Sequence, residues 1–335
     1  MNWLTQKFGI IDHHKNTDFG TQPIRVLHYM IVFMFNNTNK DFFLNLQKLI
    51  REGKFNSELN FEFGEEPIMI ENGRFRTPYA NLHTKQITIH ETFLSYIWCI
   101  TYSIYVIYLE EIDFPKYNKL HNREVYPIKE ENKQLAYEMF NYAKHLIVDY
   151  TPWEKDILPN PERFLAENRL YIEQTNGFYT EAVKFIFCHE IIHLELHFDK
   201  ITSETTDSHY LEYEIEADSK AIESIKAGLS DVQSPFEIAK KTVVSVGAVI
   251  GVLSMFFFKA TTEGKQHPNS EDRLTNILEM FNFHDSHEIW GIACVGLKFW
   301  DNQFGHNFNW LENPTSYKEE YYSIVEQIKS RNILK

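Results

Sequence analysis

One hexapeptide restricts the fold more than any other stretch: Cys188-His189-Glu190-Ile191-Ile192-His193, set behind Phe185, Ile186 and Phe187. Residues four apart on a helix lie one turn apart on one face. A helix here therefore brings both imidazoles to a single metal ion, with Glu190 placed to take a proton from water. In a chain with 15 His among 335 residues, an H-E-x-x-H match arises by chance roughly 0.07 times. The plainer alternative is a hydrogen-bonded core cluster. Either way, a helix that buries two His and a Glu among apolar side chains must pack against something that satisfies them. The spacing predicts a helix from Thr180 to Phe198, opened by Thr180 and Glu181 as its cap.

A catalytic zinc takes three protein ligands and keeps one position for water. His197, one turn beyond His193, shares the face, but three successive turns converge poorly on one ion. The metzincin pattern does not apply, because Leu196 and Asp199 stand where it needs Gly and His. The next predicted helix runs from Tyr210 to Ala227, with Gly228 as its stop. It carries Glu214 and Asp218 one turn apart, around the small Ala217. Glu214 is the expected third ligand, with Glu212 and Glu216 as neighbours easily confused with it. Asp218 is expected to accept a hydrogen bond from the free N–H of a ligating His, which fixes its tautomer.

A third segment, His267-Pro268-Asn269-Ser270-Glu271-Asp272-Arg273, places Pro268 near a helix start. Amide hydrolysis needs a donor for the developing oxyanion. His267 is the candidate, and Arg273 is expected to hold the carboxylate network or to assist. The simpler reading of these residues is a helix cap followed by a surface Arg.

H-E-x-x-H, then E-x-x-A-D, then H-P-x-x-x-x-R together resemble the pattern of the HtpX-type gluzincin metallopeptidases. With the aromatic stretch Phe93-Leu94-Ser95-Tyr96-Ile97-Trp98 and Tyr102, the chain is more similar to the Lit phage-exclusion peptidases. The resemblance implies a zinc endopeptidase with one Zn2+ per chain on His189, His193 and Glu214. It implies Glu190 as the base and His267 facing the substrate. It further implies phage defence through cleavage of a protein substrate, elongation factor Tu, and such a protease needs narrow specificity or an activating partner. The HtpX side implies a membrane-associated quality-control peptidase instead. A reading of another class is a non-enzymatic defence or interaction protein with a structural zinc, its fourth position filled by His197 or Asp199.

Periodicity gives a fold class of α+β, mainly α. Residues 1–90 read as a mixed α/β region, with a helix around Ile24 to Phe35 and short strands at Phe61-Glu62-Phe63, Pro67 to Ile70 and Gln86 to His90. Asn72-Gly73 is a turn pair that often closes a hairpin. Residues 91–335 read as a mainly helical metallopeptidase domain packed with the first region as one unit. Its further helices are expected at Glu130–Val148, Thr242–Phe258, Ser270–Phe281, Ile289–Trp300 and Ser316–Ser330.

An aromatic content of 15% excludes general disorder, and a net charge of −14 argues against a nucleic-acid partner. Cys99, Cys188 and Cys294 are too few and too far apart for a disulfide framework or a cysteine zinc site. They suit a reducing compartment, with Cys188 pointing away from the metal. Residues 1–8 lack the pattern of a secretory signal, so cytoplasmic residence is expected. His13-His14 reads as an exposed pair, and His287-Glu288 lacks a second His because Gly291 holds that position.

Thr92–Leu109 and Thr242–Phe258 are apolar enough to be weighed as membrane spans. A single crossing by the second would put His267 and Arg273 on the opposite side from His189 and Glu214. A buried helix behind the metal helices is therefore expected, with Gly247 and Gly251 permitting close packing.

Overall fold

The computed structural model describes residues 20–333, so Met1 to Phe8 and the His13-His14 pair lie outside the described residues. Helices α1 (His28–Asn36) and α2 (Lys40–Arg51) come first, α2 capped by the Asn39 side chain, which accepts from the Phe42 N–H at 2.7 Å. A three-stranded sheet follows, of β1 (Asn60–Glu62), β2 (Tyr79–Asn81) and β3 (Gln86–His90). Its order is β1-β3-β2: β3 pairs in parallel with β1 and antiparallel with β2, which leaves β2 at an edge.

The Asn72-Gly73 turn reverses the chain as expected, but it closes no ladder. Its arms share one isolated antiparallel bridge, Met69 to Phe75, and Gly73 takes the left-handed conformation at φ 71°. Ile68 and Met69 instead donate their N–H groups to the carbonyls of Leu146 and Ile147. The predicted strand over Pro67–Ile70 is thus an extended segment spent on capping a helix end.

Beyond the sheet the chain is helical: α3 (Glu91–Tyr108), α4 (Phe114–His121), α5 (Glu130–Val148), α6 (Arg169–Ile192), α7 (Asp207–Lys226), α8 (Pro235–Phe256), α9 (Ser270–Phe281), α10 (Glu288–Phe304) and α11 (Tyr317–Ile333). Every residue of α3 is buried. Two of its hydroxyl groups turn back on the helix itself, Thr101 to the Ile97 carbonyl and Ser103 to that of Cys99, so an apolar interior holds those two without loss.

The centre of the molecule is α6 packed against α8, with α3 alongside, α5 covering α3, and α1 and α7 flanking α6. Gly247 makes the α6–α8 approach possible: a Cβ there would stand 2.3 Å from the Cβ of Glu181 and 2.8 Å from the Ala182 nitrogen. Among the described residues two helical segments, Glu91–His121 and Pro235–Phe256, have the length and composition to cross a membrane; the most apolar stretch is 100% buried inside the protein in the first and 67% in the second.

Helix α6 begins eleven residues before the predicted start at Thr180. Asn176-Gly177 does not break it, because the Asn176 side chain accepts from the Trp98 indole N–H at 2.8 Å and does not compete for its own backbone. Thr180 is an interior residue whose hydroxyl bonds the carbonyls of Asn176 and Gly177, and Glu181 is buried beside Lys184 rather than capping. At its far end α6 opens into a π-turn over His193–His197.

Candidate metal centre

Four pieces of chain meet at the end of α6. Helix α6 supplies His189 and Glu190 and reaches His193 as it opens into the π-turn. Helix α7, whose N-terminus is closed by a Thr206–His209 capping box, supplies Glu214 and Asp218. Ala217 between them is fully buried at the helix contact. The loop before α9 contributes His267, and the first turn of α9 contributes Arg273.

His189 Nε2 lies 3.0 Å from His193 Nε2, and the Glu214 carboxylate approaches them at 3.3 and 3.2 Å. One ligand atom from each of the three lies within 4.8 Å of the others. Lone-pair atoms this close need a proton or a cation between them. Burial alone would lower the His189 pKa, yet the Glu214 carboxylate and the Asp218 hydrogen bond outweigh it and hold the ring up at about 10. The site therefore favours a cation, and two imidazoles with one carboxylate are a donor set that fits a divalent metal with an open position.

Behind this triad, Asp218 Oδ1 accepts from His189 Nδ1 at 2.9 Å, as the spacing in α7 predicts. Arg273 meets the same carboxylate twice, Nε at 2.7 Å and Nη2 at 2.8 Å. Burial pushes Asp218 up, but Arg273 and His189 hold it well below the usual carboxylate range. Of the two roles the sequence allows Arg273, the structure places it in the carboxylate network.

Glu190 is half-buried beside the triad, and one of its oxygens accepts the Ala80 N–H of edge strand β2 at 2.7 Å. Burial raises its pKa, against the lowering effect of His189 and His193. No sequence signal marks Ala80, because the contact joins residues 110 positions apart.

His267 is exposed, and its Nδ1 lies 3.0 Å from Glu214 on the solvent side. Of the neighbours considered for Glu214, Glu212 is exposed and Glu216 pairs with His197 at 3.1 Å. His197 stands behind His193, Nδ1 to Nδ1 at 3.0 Å, and outside the His189–His193–Glu214 group, while Asp199 is exposed. Cys188 is buried against Thr38, away from the triad, and burial pushes its thiol up to about 12. His287 caps α10 through the Ile289 N–H.

No curated protein and no solved structure gives a significant match. The family model described as Peptidase U49 matches residues 87–293, more than half of the chain, and the span contains His189, Glu190, His193, Glu214, Asp218, His267 and Arg273. By that match, over the helices that build the centre, the chain belongs to the Peptidase U49 family and is a peptidase.

Proposed function

We propose that the chain is a zinc-dependent endopeptidase of gluzincin type that cleaves a cytoplasmic protein. His189, His193 and Glu214 hold one zinc, and Asp218 orients His189. The convergence of those three ligand groups beside Glu190 carries the reading. A bound zinc would polarise the scissile carbonyl and acidify water. Glu190, its pKa raised by burial, takes the proton of the attacking water and passes it to the leaving amine. His267, exposed beside Glu214 at 3.0 Å, is the residue that would donate to the developing oxyanion. Arg273 keeps Asp218 ionised, and so keeps a proton on His189 Nδ1.

The likeness to the Lit peptidases makes elongation factor Tu the first substrate to test and phage exclusion the setting. A cytoplasmic protease must be restrained, which calls for narrow specificity or an activating partner. The test incubates purified elongation factor Tu, with casein as a control, with wild type, Glu190→Gln and His193→Ala. Glu190→Gln is expected to keep zinc and lose cleavage, and His193→Ala to lose both. Full activity in Glu190→Gln contradicts the assignment, and constitutive cleavage of casein contradicts the restraint.

A further inference from the structure

His197 stands outside the triad, yet it is fully buried against it and both of its ring nitrogens are engaged. Nδ1 faces His193 Nδ1 at 3.0 Å, and Nε2 faces Glu216 Oε2 at 3.1 Å. The ring is stacked on Tyr213, centroids 4.4 Å apart at 18°, so its plane is held. Both His193 and His197 lie in the π-turn at the end of α6. Such turns close by i→i+5 bonds and recur at functional sites.

The protons follow from the partners. A carboxylate only accepts, so the His197 nitrogen facing Glu216 carries N–H. In a neutral imidazole the other nitrogen is then an acceptor, which requires the His193 Nδ1 opposite it to be the donor. That leaves the lone pair of His193 on Nε2, the atom 3.2 Å from Glu214 and 3.0 Å from His189. Asp218 acts on His189 directly; Glu216 acts on His193 through one intervening ring. We propose that His197 and Glu216 are positioning residues of the metal centre, an imidazole–carboxylate relay that fixes His193 in its metal-binding tautomer.

The inference rests on the metal reading above, and its test reads metal affinity rather than cleavage. The full chain is stripped of metal, and Zn2+ affinity is measured by competition with a chromogenic chelator. Co2+ spectra and metal-free melting are recorded in parallel. His197→Phe keeps a ring over Tyr213 but breaks the relay. It is expected to weaken Zn2+ binding by about 10–100-fold and to shift the Co2+ bands, while melting cooperatively near the wild-type temperature.

Glu216→Ala, at the half-exposed end of the relay, is expected to lose affinity in the same direction by less. It also carries the test if His197→Phe does not fold. The double variant should be no weaker than His197→Phe, because the two act in series. Wild-type affinity in a folded variant, or fully additive losses, overturns the relay and leaves the peptidase reading standing. Failure of the wild type to bind Zn2+ overturns both.

Discussion

Arg273 closes on Asp218 through two guanidinium nitrogens, at 2.7 and 2.8 Å, while the same carboxylate receives His189 Nδ1 at 2.9 Å. The positive charge of Arg273 is thus spent on the residue that holds His189. Asp218 is 2% exposed, so truncating its partner strands a buried carboxylate. Arg273→Ala should cost the metal-free protein about 3–5 kcal/mol, measured by urea unfolding. A loss under about 1 kcal/mol would mean that the pair contributes little.

Ala80 gives the site a second handle. Its N–H stabilises the charged form of Glu190, so removing it should raise the carboxyl pKa further. Because β2 is an edge strand and this N–H points to Glu190 rather than into the ladder, Pro at position 80 removes the donor without breaking a ladder bond, and its ring displaces the Glu190 carboxylate from the backbone. Ala80→Pro should fold and should move the acid limb of kcat/KM to higher pH, the direction expected when a base needs higher pH to ionise. An unmoved limb with intact fold would separate Ala80 from the base.

Gly247 is a packing residue. Any side chain would drive its Cβ into Glu181 and the α6 backbone at Ala182, neither of which can swing aside. Gly247→Val should destabilise by about 1–3 kcal/mol or more. It should also loosen Zn2+ binding, since α6 positions the proposed ligands His189 and His193. A wild-type melting temperature would show that α8 can shift without cost.

The sequence made the chemistry legible because helix geometry turns spacing into proximity: His189 with His193, and Glu214 with Asp218, follow from steps of four. Glu130–Val148, Ser270–Phe281 and Gln86–His90 are found at their predicted bounds for the same reason, each having a clean period and polar ends. What spacing does not carry is contact over long separations. The Trp98 bond that lets α6 run through Asn176, the β2 edge that reaches Glu190, and the π-turn that seats His197 behind His193 all depend on tertiary neighbours.

Stability should also depend on pH through Glu91, at the start of α3. It is 1% exposed, and burial raises its pKa from 4.5 to about 7 against the N–H groups of Gln22 and Thr21. Between those values the folded chain holds a proton that the unfolded chain has lost. This contribution is therefore most favourable below about 4.5, declines as pH rises, and is flat above about 7. The decline amounts to about 3 kcal/mol. Glu91→Gln should remove that part of the slope and raise stability at pH 8 relative to wild type. Parallel pH profiles for the two proteins would contradict the account.

Metal content tests directly whether α6 and α7 build a metal site. Wild type, Glu190→Gln and Glu214→Ala are purified without chelators and assayed by elemental analysis. One zinc per chain is expected in the first two and none held stoichiometrically in the third. A wild-type protein with no stoichiometric metal, or a Glu214→Ala variant that keeps its zinc, would contradict that site.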